Sequence, residues 1–261
     1  MASRPPAVAG MFYPQDPGEL GECVAEYLAN SSPGADRSMP KALIVPHAGY
    51  VYSAPVAACA YARLRPFSSA IRRVVLLGPA HRVYLQGMAV PSASAFAMPI
   101  GEVPVDTRAI SKALSLPGVV SSDRAHAQEH SLEVHLPFLQ SVLDDFKVVP
   151  IVVGECPAEE VACVLKALWG GDETLIVVSS DLSHYHPYTV AQTTDAATTR
   201  DIVARSVSLT GAQACGAFAI NGLMRVANDF DLQVRALDVR NSGDTAGDRG
   251  RVVGYGAYVL S

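Results

Sequence analysis

No Cys-x-x-Cys pair occurs in this chain, and its five cysteines (Cys23, Cys59, Cys156, Cys163, Cys215) fall at wide, irregular spacings. That excludes a paired-thiolate zinc site and argues against a disulfide framework, so reduced thiols and a cytoplasmic location are expected. Any run of lysine and arginine is also missing. With a net charge of −5 there is no basic stripe, and nucleic acid is not an expected partner. Apolar runs stop at about strand length, broken by Gly, Pro or charge, so no membrane span is expected. The opening residues, Met1 to Pro6, lack the basic-then-apolar pattern of a secretory leader. Charged residues are themselves scarce at 17%, against 49% apolar, a balance that excludes global disorder and supplies a large core.

What is present is a set of short, β-branched runs: Ala42 to Val45, Val74 to Leu77, Val148 to Val153 and Leu175 to Val178. Each is apolar on both faces, as strands sandwiched between helices must be. Helical patterns lie between or beside them at Pro55 to Leu64, Thr107 to Leu114, Ser131 to Leu143 and Ala158 to Trp169. Longer helices are expected near Tyr188 to Ser206 and Ala212 to Asn228, then two extended segments, Leu232 to Asp238 and Arg251 to Leu260. The last is expected at a sheet edge. This alternation predicts an α/β protein, a three-layer α/β/α sandwich on a mostly parallel sheet. The polar stretches Ser31 to Met39 and Asn241 to Gly250 do not separate core-sized halves, so residues 1–261 are read as one domain.

Ligands of open α/β sheets bind beyond the carboxyl ends of the strands. Four of the seven histidines fall in those loops. His47 follows the first run in Pro46-His47-Ala48-Gly49-Tyr50, His81 the second in Gly78-Pro79-Ala80-His81, and His184 and His186 the fourth. Neutral imidazole is the commonest protein ligand for transition metals and a proton carrier near neutral pH. A metal cleft with His47 and His81 as ligands follows. Asp181, three residues before His184, either orients that imidazole or caps a turn.

The segment Glu129-His130-Ser131-Leu132-Glu133-Val134-His135-Leu136-Pro137 is a second cluster. On a helix, Glu129 and Glu133 would share a face, with His130 one turn from Glu133. Substrate contact, support of the metal ligands or plain structure remain open for Glu129, His130, Glu133 and His135. No HExxH, G-x-S-x-G, GxGxxG or Walker motif is present, so metalloprotease, serine-hydrolase and nucleotide-binding readings have no support. Asp244, in the Gly- and Asp-rich turn Asn241 to Asp248, is a candidate for completing a metal site or a solvated turn residue.

Five stretches together resemble the Memo family, relatives of the class III extradiol dioxygenases. They are Ala7-Val8-Ala9-Gly10-x-Phe12-Tyr13-Pro14 with Pro5, then Pro46 to Tyr50, Leu77-Gly78-Pro79-x-His81, Glu129 to Pro137, and Ser180-Asp181-x-Ser183-His184. Cys215-Gly216 and Val253-Gly254-Tyr255 match late motifs, so the resemblance spans nearly the whole chain. It implies an extradiol-dioxygenase-like fold and non-haem chemistry, with Fe(II) the expected metal and copper or zinc as alternatives. His47 and His81 match the two histidine ligands, His184 the acid/base histidine and Asp181 its neighbour, with Tyr50 beside the cleft. The family's ligating cysteine matches at or near Val239. Valine cannot bind a metal, which leaves the third ligand open to Asp238, Asp244 or another cleft residue. The resemblance also implies AMMECR-type and radical-SAM protein partners, the AmmeMemoRadiSam set. Three functions compete: a metal-dependent dioxygenase or other redox enzyme on a small substrate, a non-catalytic binder of a peptide or partner, and a zinc hydrolase.

Overall fold

In the computed structural model, which describes residues 3–32 and 38–261, helices are interspersed among the strands along the chain. The first half of the chain forms β1 (Ser3–Arg4), α1 (Pro17–Ala29), β2 (Ala42–Val45), α2 (Tyr50–Tyr61), β3 (Arg73–Pro79), β4 (Met88–Val90), β5 (Ala95–Met98), β6 (Gly101–Pro104), α3 (Thr107–Leu114), β7 (Val119–Ser121) and α4 (Asp123–Ala127). The second half forms α5 (Leu136–Val142), β8 (Lys147–Val153), α6 (Ala158–Leu168), β9 (Thr174–Ser179), β10 (His184–His186), α7 (Tyr188–Val203), α8 (Ala217–Asp229), β11 (Val234–Asn241), α9 (Ser242–Thr245) and β12 (Val252–Leu260). Most of the expected loop from Ser31 to Met39 lies outside the described residues.

The four apolar runs form the parallel centre of the sheet in the spatial order β2, β9, β3, β8. Every residue of β2 and β9 is buried, which is why these strands show no inside–outside alternation. Helices α1, α2 and α5 pack against one another, and α3, α6 and α8 form a second group, with α7 against β11 and β12. The apolar residues of all these layers belong to one contiguous core, the α/β/α sandwich expected. A separate three-stranded sheet joins β1, β5 and β6.

Local chemistry explains the helix ends. Asp16 caps α1 by accepting from the Gly18 and Glu19 N–H groups, Pro17 opens the helix, and Leu20, Val24 and Leu28 form its buried stripe. Helix α2 starts at Tyr50 rather than Pro55, which lies inside it.

Three expectations are corrected. The helix expected over Ser131 to Leu143 is split into a 3₁₀ turn at Glu133–His135 and the short α5. Pro137 has no N–H to continue a helix and so begins one. The helix expected from Ala212 starts at Ala217, with Gly216 at its cap. The last strand is interior: β12 pairs antiparallel with β2 on one side and with β10 and β11 on the other. All its residues except Val253 are buried, so its backbone groups need partners on both sides.

Candidate metal centre

The cleft opens at the carboxyl ends of β2, β3 and β9, where His47, His81 and Asp181 follow their strands. Its volume is about 820 Å³, within the usual size for a small-molecule site. Phe12, Tyr52, Arg82, His184, Tyr185 and Tyr255 contribute to its walls. His81 and His130 line it; the rings of His47 and His81 lie 5.1 Å apart edge to face, and His130 stands 5.5 Å from the first and 4.8 Å from the second. Each of the three offers a ring nitrogen within 4.8 Å of the others, so together they could hold one metal ion.

Two close approaches bring these groups together. Gly78, near the end of β3, leaves room for Ser131 and Leu132. A Cβ there would meet Ser131 Oγ at 2.7 Å, so glycine lets the segment that carries His130 lie against the strand that leads to His81. Gly216 does the same beside Ser179 and Ser180, where a Cβ would stand 2.6 Å from the Ser179 carbonyl oxygen. That contact seats Cys215 with its Sγ 3.4 Å from His47 Nε2.

Glu129 organises the His81 side. Its Oε2 accepts from the His81 backbone N–H at 2.6 Å. Its Oε1 faces His81 Nδ1 at 3.0 Å and accepts the N–H groups of His130 and Ser131 at 2.9 Å each. Burial alone would raise this carboxyl. The hydrogen bond and charge of His81, with the Ser131 and His81 N–H groups, instead hold it down to about 2. An ionised Glu129 keeps the proton of His81 on Nδ1 and leaves Nε2 free to bind. On the other side, His47 is 2% exposed, and its Nδ1 lies 2.6 Å from Ser179 Oγ.

The charge state suits a cation. Burial, then the neighbouring imidazoles, hold His47 well below the usual histidine range, and His130 is brought down to about 4, chiefly by burial. Both are neutral at pH 7, as ligation requires. His130 Nδ1 is buried without a hydrogen bond; Glu129 Oε1 is 3.4 Å away but not in hydrogen-bonding geometry. An orphaned ring nitrogen beside two others with committed partners fits a metal ligand.

The remaining candidates divide. His184 is half-buried on the cleft wall; burial lowers it and a hydrogen bond to the Leu182 backbone partly restores it. Tyr185 beside it adopts φ 60°, a left-handed conformation that costs a non-glycine residue of the order of 1–3 kcal/mol. Asp181 also reaches the cleft, and burial pushes it up to about 7 against the N–H groups of His47 and Ala48. Its Oδ1 accepts from the His47 backbone at 2.8 Å, so it braces the His47 loop rather than His184.

Four other candidates stand back from the cleft. Tyr50 donates to the Val134 carbonyl from within the core, and His135 is buried between Tyr61 and Ser179. Glu133 is fully buried and binds Arg4, Tyr13 and the Ala7 and Val8 N–H groups. Asp244 forms a capping box with Asn241 and accepts from Tyr188. Val239 pairs with Gly256 and lines a different cavity, alongside Asp195 and Asp244. Asp238 is engaged by Arg240. Among the described residues, the nitrogen that could join those of His47 and His81 in holding a metal is that of His130, for which the sequence left a ligand role unassigned. Cys215 and Ser179 were missed as neighbours of His47; their only signals were a motif match and the position at the end of β9.

A cleft with three converging imidazoles at the carboxyl ends of parallel strands defines the class: an α/β protein with a candidate metal centre. The model of the family described as Memo-like protein matches residues 4–259, and the chain belongs to that family. It is 36% identical over 268 residues to a MEMO1 family protein of Aquifex aeolicus, covering 98% of each chain. The MEMO1 family protein of Ignicoccus hospitalis is 35% identical over 283 residues, again covering 98% of each. Among solved structures, an uncharacterized protein of Escherichia coli K12 shares the fold with a TM-score of 0.52 at 14% identity, over 85% of this chain and 100% of that one. Among the described residues, no helix is long and apolar enough to cross a membrane.

Proposed function

We propose that the chain holds one divalent metal, Fe(II) first among the candidates, on His47, His81 and His130, and uses it for redox chemistry on a small substrate in the cleft. The observation that carries this reading is the convergence of three imidazoles, two of them with a carboxylate or hydroxyl at Nδ1. A bound ion would supply Lewis acidity, one-electron redox capacity if it is iron, and open coordination positions for the reactants. The protein's own groups would do the rest. His184, neutral and facing the cleft, accepts a proton from a substrate hydroxyl, while Tyr185, Tyr52 and Phe12 pack against the apolar part of the substrate. Asp181 holds the His47 loop in place.

Three imidazoles and a water are also the donor set of catalytic zinc sites, and no carboxylate is among the three converging groups. That favours zinc-dependent hydrolysis as the second reading. Protein prepared anaerobically with Fe(II), and separately with Zn(II), should take up one equivalent, and His47→Ala or His81→Ala should abolish uptake. Uptake unchanged in both variants overturns the metal site. Oxygen consumption with a panel of catechols tests the redox reading, and inactivity of iron-loaded protein across the panel would favour a peptide- or partner-binding role.

A further inference from the structure

Ser179 is the last residue of β9 and fully buried. Its hydroxyl oxygen stands at the centre of three contacts: the Ser131 carbonyl oxygen at 2.6 Å, His47 Nδ1 at 2.6 Å and His135 Nε2 at 2.8 Å. His135 Nδ1 in turn lies 2.8 Å from the Tyr61 hydroxyl. Ser131, His135 and Tyr61 are each at most 1% exposed, and His47 only 2%.

Counting protons in this chain leaves one arrangement. A carbonyl oxygen has none to give, so two oxygens 2.6 Å apart must share the single proton of Ser179. With that proton committed to Ser131, the Ser179 oxygen can only accept from the two rings. His135 therefore carries its proton on Nε2, and its Nδ1 accepts from Tyr61. His47 carries its proton on Nδ1. The opposite tautomer would press the Nδ1 lone pair of His47 against those of Ser179 at 2.6 Å in a buried site, an uncompensated repulsion.

We infer that Ser179 is a positioning residue: fixed by Ser131 and His135, it locks His47 in the Nδ1–H tautomer and leaves the Nε2 lone pair, on the side of Cys215 Sγ, free to bind. The value of that lock rests on the proposed metal binding, but the tautomer itself does not. It also gives the two strand-end histidines different supports, an ionised carboxylate for His81 and a neutral hydroxyl for His47.

Long-range proton–nitrogen NMR of the metal-free protein at neutral pH reads the tautomer directly. The expected pattern has His47 protonated on Nδ1 and His135 on Nε2. In Ser179→Ala, His47 should shift towards a mixture of tautomers, and Zn(II) affinity, measured by calorimetry, should fall about 10–100-fold. Ser179→Thr, which keeps the hydroxyl, should restore the Nδ1–H pattern. An Nε2–H pattern for His47 in the unmutated protein overturns the inference even if Ser179→Ala fails to fold. So does a tautomer unchanged in a folded Ser179→Ala. Unmutated protein that shows the Nδ1–H pattern but binds neither Fe(II) nor Zn(II) would overturn the proposed function and leave the assignment standing.

Discussion

Glu129 and Glu133 lie four residues apart, both nearly without solvent exposure, and serve different parts of the molecule. Glu129 faces the histidine cluster and collects N–H groups from His81, His130 and Ser131. Glu133 faces the other way, to the N-terminal segment, where Arg4 neutralises it and Tyr13, Ala7 and Val8 donate to it. A continuous helix would have placed both carboxylates on one face. The loop at Glu129 and the 3₁₀ turn from Glu133 to His135 send them apart. A buried carboxylate becomes a structural anchor or a support for ligands according to what its partner is: a permanently charged guanidinium neutralises it, whereas an imidazole shares a proton with it and keeps a free nitrogen.

The largest test of this contrast is Glu133→Ala. Removing one partner of a buried ion pair leaves the Arg4 guanidinium uncompensated, so unfolding free energy should fall by about 3–5 kcal/mol. Denaturant titration measures it, and the fraction that remains folded should keep its metal stoichiometry. A loss of metal binding equal to that of Glu129 variants would erase the distinction.

Glu129→Gln should act the other way round. Metal affinity should drop about 10–100-fold while stability changes less than in Glu133→Ala, checked by calorimetry and a melting curve on the same preparation. Equal losses of stability in the two variants would count against separate roles.

Acid should act through the buried histidines and Glu129. The depressed histidines are neutral in the folded state and protonated when unfolded, so the unfolded chain binds more protons below pH 6.5. The stability of metal-free protein should therefore fall as pH drops through 6.5 and on towards about 4 and about 3, the values of His130 and His135. Glu129 adds a second loss between about 4.5 and about 2, because it is ionised in the fold and protonated more readily in the unfolded chain. A stability curve flat from pH 7 to 4 would contradict buried neutral imidazoles.

Val239→Cys should have the smallest effect. Val239 faces a cavity apart from the three imidazoles, so a thiol there should leave metal stoichiometry and affinity unchanged. A change in metal absorption or affinity would bring that strand back into the site.

Much was legible before the fold was known, and for local reasons. The four buried strands announce themselves because a strand covered on both faces must be apolar throughout. His47, His81 and His184 could be placed because ligand sites in open α/β sheets gather at strand ends. Thr107–Leu114 begins where expected because Asp106 caps it, accepting from the Ala109 N–H three residues on. Pro55 and Pro137 misled in opposite directions: one sits within a helix, and the other starts a new one where a single helix was expected.

What only the tertiary structure decided are contacts between residues far apart in the chain, for which no local pattern exists. Ser179 meets His47 across 132 positions and Ser131 across 48, and Cys215 meets His47 across 168. Alternation and motif spacing say nothing about such pairs, which depend on strand order and on the glycines that let segments touch. By itself the sequence determined the α/β sandwich, the family and two of the three clustered histidines. Packing decided that His130 brings a third nitrogen beside those of His47 and His81, that Val239 and Asp244 do not line the cleft, and that a serine at the end of a buried strand touches His47 Nδ1. The physical reason is that hydrophobic pattern is written residue by residue, whereas hydrogen-bond partnership exists only once distant segments share one buried space.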